Sequence, residues 1–118
     1  MMIIYHFPEI EKKVRSSHGD TTLYQTIWAS EVKRPESVKA FRDFVRMTIE
    51  PGGTNRIHDH DNVEQIYIFL QGGGTMHVGD DKEEVKAGDA VFIPAKTGHG
   101  FFNTGNKTAV ILLLGVYV

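Results

Sequence analysis

From residue 40 to the C-terminus apolar side chains mostly alternate with polar ones, and clusters of Gly, Asn, Asp and Pro interrupt the alternation at short intervals. Period two with frequent turn residues predicts many short β-strands. FRDFVRMTIEPGG (41–53) predicts a strand stopped at Pro51-Gly52-Gly53, and EQIYIFLQGGG (64–74) a second, with the three glycines as the turn between strands. TMHVGDDKEEVKAGD (75–89) predicts a hairpin about Gly79-Asp80-Asp81. From Ala90 onward three more strand-like runs follow, broken at Pro94 and at Thr104-Gly105-Asn106. Helical periodicity is scarce, and only RPESVKAF (34–41) suggests a helical turn.

About seven or eight antiparallel strands without an intervening helix must close into a barrel or two-sheet sandwich to protect their edges. The first part of the chain, residues 1–39, reads as an arm with one or more first strands, TTLYQTIWAS (21–30) being one, within the same domain as a barrel core at 40–118. PEIEKKVRSSHGD (8–20) is polar, as a loop or arm would be. Near the C-terminus, AVILLLGVYV (109–118) is apolar on both faces and calls for cover on each side.

Composition narrows the function classes. A chain of 118 residues suits a single core. The net charge of -2 lacks the basic surplus that gathers nucleic acid or an anionic membrane. No apolar run approaches the roughly 20 residues of a spanning helix, and no basic region precedes an apolar run at the N-terminus, so a soluble, cytoplasmic protein is the expectation. With no cysteine, any metal must be held by nitrogen and oxygen ligands.

Six histidines then carry the chemistry. Residues two apart on a strand share a face, so His58 and His60 project together, with Arg56 beside them at the cavity mouth, where its guanidinium would clamp a carboxylate. His99, which follows Pro94 and opens HGFFN, is a further candidate. Glu64 and Gln65 are adjacent and point to opposite faces. His6, His18 and His77 have no such company, and His77, alternating with Met76 and Val78, is expected to face outward. Gly72-Gly73-Gly74 lacks the following Lys-Ser/Thr and helix of a phosphate loop.

These residues resemble the cupin family, in its small single-domain form. The first cupin motif (Gly, five residues, His-x-His, three or four residues, Glu, six residues, Gly) is matched by Gly52, His58, His60 and Gly72. The second (Gly, five residues, Pro-x-Gly, two residues, His, three residues, Asn) is matched by Gly88, Pro94, His99 and Asn103, with Lys96 where the motif has Gly. HGDTTLYQTIW (18–28) adds a weaker likeness. The resemblance implies an all-β double-stranded β-helix, the jelly roll of the cupin barrel, with one divalent transition metal per chain (Mn, Fe, Ni, Cu or Zn) on His58, His60, His99 and a fourth residue.

Counting back from Gly72 gives Gln65 as that residue, whereas the shorter gap after His60 gives Glu64. Parity selects Gln65, because Tyr67 and Phe69 then face inward with it, and similar cupins that open unsaturated uronates carry Gln there. A neutral amide leaves the metal's charge uncompensated and departs from the two-His, one-carboxylate site of iron oxygenases. The expectation is a metal-dependent enzyme using Lewis-acid chemistry on a small oxygenated acid or sugar acid, as an isomerase, decarboxylase or lyase. Tyr67 or Arg56 would orient substrate or move a proton, and Arg56, Phe69 and Phe101 would contact it. The alternatives are an iron or manganese dioxygenase or oxalate-type oxidoreductase, and a sensory cupin that binds a small molecule without turnover. Similar cupins pair as homodimers through sheet edges and arms, and the same is expected here.

Overall fold

The computed structural model describes residues 2–15 and 19–118, so the likeness that begins at His18 lies partly outside the described residues. After a one-turn 3-10 helix (Phe7–Glu9), the described residues form β1 (Thr22–Trp28), β2 (Phe41–Ile49), β3 (Thr54–His58), β4 (Val63–Gln71) and β5 (Gly73–Val78). They are followed by β6 (Asp81–Lys86), β7 (Ala90–Ile93), β8 (His99–Phe102) and β9 (Ala109–Tyr117). A five-stranded sheet in the order β1-β2-β9-β4-β7 faces a four-stranded sheet in the order β3-β8-β5-β6, and every pairing is antiparallel. This is the jelly roll that the family resemblance implies, one of the closed arrangements that strand count and edge protection allow.

The core lies between the sheets, and strand alternation fills it. Val45, Met47 and Ile49 of β2, Tyr67 and Phe69 of β4, and Ile111 and Leu113 of β9 point inward and meet Met76 and Phe101 from the opposite sheet. Phe69 and Phe101 pack with ring centroids 5.4 Å apart. The arm lies against its own chain: Gln25 donates from Nε2 to the carbonyls of Phe7 (2.7 Å) and Ile10 (3.0 Å), and Lys13 bridges to Tyr24.

Two local expectations change. Residues 34–41 form no helix; a hydrogen bond from the Val38 amide to the Pro35 carbonyl closes a single turn before β2 begins. The glycine triplet is only partly a turn. Gly72, at φ +67, makes the reversal, but Gly73 and Gly74 already belong to β5, where a Cβ would overlap the carbonyl oxygens of Val85 and Phe102. Glycine is required there by close backbone approach. His77 lies, as expected, on the face opposite the core residue Met76, half-buried with its ring 4.9 Å from that of Phe102.

Candidate metal centre

His58 ends β3 and His99 begins β8, and the two are cross-strand partners in the four-stranded sheet. His60 is past the end of β3, in the connection to β4, so strand parity does not aim it. Its carbonyl accepts a hydrogen bond from the Lys96 amide at 2.6 Å, which ties this connection to the turn before β8. The ligand atoms of the three imidazoles lie within 4.8 Å of one another. Gln65 approaches from β4 in the other sheet.

Between Asn55 and His58 the pairing with β8 slips by one residue, a β-bulge that turns both of these side chains inward. The same bulge removes Arg56 from the cavity. Its side chain is exposed and lies beside Gly19, where a Cβ would meet Nε at 3.3 Å. The alternation that set Arg56 at the mouth does not survive an inserted residue.

A second bulge, at Arg42 between the pairs Phe41–Val116 and Asp43–Gly115, supplies what the alternation missed. Adjacent side chains meet there, Arg42 Nε donating to both Asp43 oxygens at 2.9 and 3.0 Å. A cavity of about 20 Å³ is lined by His58, His60, Gln65, Tyr67, Asp43 and Arg42, with Arg15 from the arm also at its wall. Phe69 and Phe101 are not in that wall; both are core. Larger clefts of about 350 and 490 Å³ lie along the arm and beside Gly72–Gly74, and no histidine lines either. One signal for Asp43 was visible in the sequence: an acid at the same parity as Val45, Met47 and Ile49.

The donor set suits a cation. His99 Nδ1 lies 2.9 Å from the Thr97 carbonyl and His58 Nδ1 2.6 Å from that of Arg56. A carbonyl can only accept, so each Nδ1 carries the proton and each Nε2 offers a lone pair. Burial holds all three imidazoles below their ordinary range, His60 at about 4 with the Arg42 guanidinium adding to the effect, and His99 at about 4 with His58 adding to it. They are neutral near pH 7, as metal ligation requires. His99 Nε2 and Gln65 Oε1 are buried with no hydrogen-bond partner among the described residues. Two such acceptors at one site fit a bound cation.

Gln65 is 2% exposed and Tyr67 and Phe69 are buried with it. Glu64 belongs to the opposite parity with Ile66 and Leu70, which are exposed. Tyr67 accepts from Asn55 Nδ2 at 3.1 Å, while the Tyr24 hydroxyl donates to Asn55 Oδ1 at 3.3 Å. Burial raises both phenols, Tyr24 to about 12 and Tyr67 further, which favours the neutral phenol of Tyr67 at the cavity wall.

Residues 45–115 match the family model described as a Cupin domain (Cupin_2). An uncharacterized protein of Methanocaldococcus jannaschii is 37% identical over 83 residues, which are 70% of this chain and 66% of that protein. An oxalate-binding protein of Thermotoga maritima is 38% identical over 77 residues, 62% of this chain and 64% of that protein. The match thus spans just under two thirds of each relative's length. The crystal structure of a predicted oxalate decarboxylase from Thermotoga maritima is similar with a TM-score of 0.84 at 27% identity, over 98% of this chain and 100% of that one. With a family model matched over more than half its length, and the histidines of both motifs gathered at one end of a jelly roll, the chain belongs to the cupin family.

Proposed function

We propose that His58, His60, Gln65 and His99 hold one divalent metal, and that the site takes a small oxygenated acid of the dicarboxylate class. The observation that carries this reading is a pair of buried acceptors without a partner among the described residues, His99 Nε2 in the cluster of three imidazoles and Gln65 Oε1 at the wall of a cavity that Arg42 and Arg15 also line. When bound, such a metal supplies Lewis-acid polarisation of a carboxylate or carbonyl.

The chain's own residues do the rest. Arg42 and Arg15, paired with Asp43 and Glu31, line the cavity as cationic hydrogen-bond donors that can orient an anion, the role expected of Arg56. Gln65, being neutral, adds no negative charge of its own at the ligand positions. Tyr67 and Asn55 close the floor of the cavity against water.

A second reading, binding without turnover, is favoured by the state of Tyr67. The phenol is buried, raised and already hydrogen-bonded, which disfavours Tyr67 as a general base, and the one carboxylate at the cavity wall, Asp43, is engaged by Arg42 and Gln65. The Thermotoga maritima relative named for oxalate binding is consistent with either reading.

Calorimetric titration of Mn(II)-loaded protein with oxalate is expected to give saturable binding. His58→Ala/His99→Ala should lose both the metal and the oxalate signal. Equal metal content in the two proteins by elemental analysis would refute the centre. Carbon dioxide release from bound oxalate separates turnover from binding alone.

Association as a homodimer belongs to the same proposal. The outer face of the five-stranded sheet is apolar across several strands, with Phe92 (β7) paired to Ile66 (β4) and Ile66 to Leu114 (β9). Ile66, Leu70 and Phe92 are exposed, as are Met2, Ile3 and Ile4 of the arm. A second copy is the occupant that matches an apolar face with an apolar arm.

A further inference from the structure

We infer that Asp43 is a positioning residue that presents the Gln65 amide oxygen to the three imidazoles and carries the site's negative charge one residue behind that amide. The inference rests on the reading of Gln65 as a metal ligand and says what makes a glutamine serve there.

The two ends of a carboxamide are nearly the same size, so its neighbours decide which end faces which way. Gln65 Nε2 donates to Asp43 Oδ2 at 3.0 Å. A carboxylate is acceptor-only, so the amide cannot turn its oxygen toward Asp43 without placing two acceptors together. Oε1 is therefore left without a partner among the described residues. Both residues are 2% exposed, and water does not compete for this bond. Arg42 in turn fixes the carboxylate through both oxygens.

Backbone geometry supports the same arrangement. Asp43 on β2 and Gln65 on β4 both pair with Gly115 of the strand between them, β9. Two side chains can bond across an intervening strand only if that strand offers none of its own. A Cβ at Gly115 would overlap Asp43 Oδ2. The bulge at Arg42 then lets a guanidinium and its own neighbour's carboxylate meet above that glycine.

The test is titration of the metal-free protein with Co(II), reading affinity and the visible d–d band. Asp43→Asn removes the acceptor-only group and should weaken Co(II) binding about 10- to 100-fold and shift the band. The exchange Asp43→Asn/Gln65→Glu keeps one carboxylate and one hydrogen bond in the pair with their direction reversed, and should recover affinity to within about tenfold of the unmodified protein. If Gln65→Ala loses Co(II) while Asp43→Asn binds with unchanged affinity and band, the positioning role is wrong and the ligand reading stands. If Gln65→Ala binds as the unmodified protein does, the ligand reading fails and takes this inference with it. Should Asp43→Asn not fold, the exchange variant decides: Co(II) affinity within tenfold supports the role, and lost binding overturns it.

Discussion

Lys96 has a backbone φ of 60°, the one positive value outside glycine among the described residues. For a side chain with a Cβ this conformation costs about 1 kcal/mol or more. It is held because the Lys96 amide must reach the His60 carbonyl. The cupin motif has glycine here, and the left-handed backbone is the physical reason. Lys96→Gly should therefore raise stability by up to about 1 kcal/mol, relief of strain exceeding the entropy glycine gains in the unfolded chain. A urea midpoint that falls would contradict this. At the same scale, the choice of Gln65 over Glu64 for the inward face was readable from parity, because β4 is free of bulges where it carries these residues. Arg42 and Asp43 were not readable as a pair, since neighbours on a regular strand face apart.

Bulges mark the limit of sequence reading at the level of strands. Boundaries were legible wherever Gly or Pro punctuated the chain: β2 ends before Pro51-Gly52, β7 before Pro94, and the β5–β6 hairpin turns at Gly79-Asp80. An inserted residue leaves no such punctuation, and alternation counted across it assigns the wrong face, as it did for Arg56. Gly100 accommodates the β3 bulge, for a Cβ there would lie 2.9 Å from both the Asn55 oxygen and an Ile57 side-chain carbon. Gly100→Ala should cost about 1–3 kcal/mol and weaken metal binding, because relief of the clash moves the residues that aim His58. Thermal melts of the metal-free protein together with Co(II) titration check both parts; a tolerated alanine with unchanged affinity would show that the bulge does not aim the histidine.

The whole molecule turns an apolar sheet face outward, and the doubly apolar β9 foretold it. Leu112, Leu114 and Val116 remain half-buried on that outer side. Light scattering should give the mass of two chains. Ile66→Glu/Phe92→Glu, which charges two paired residues of the face, should yield a folded monomer with its strand signature intact. A single-chain mass for the unmodified protein would remove the homodimer. No helix among the described residues is long and apolar enough to cross a membrane.

The histidine and glutamine donors come from both layers of the jelly roll: His58 and His99 from one sheet, Gln65 from the other, and His60 from the link between them. A cation held by all four would act as a rivet through the sandwich at that end. Prising the layers apart would then mean tearing out the ion, so chelation should loosen this rim before the hydrophobic middle gives way. The protein's mechanical integrity and its capacity to hold an anion would rise and fall with the same ion.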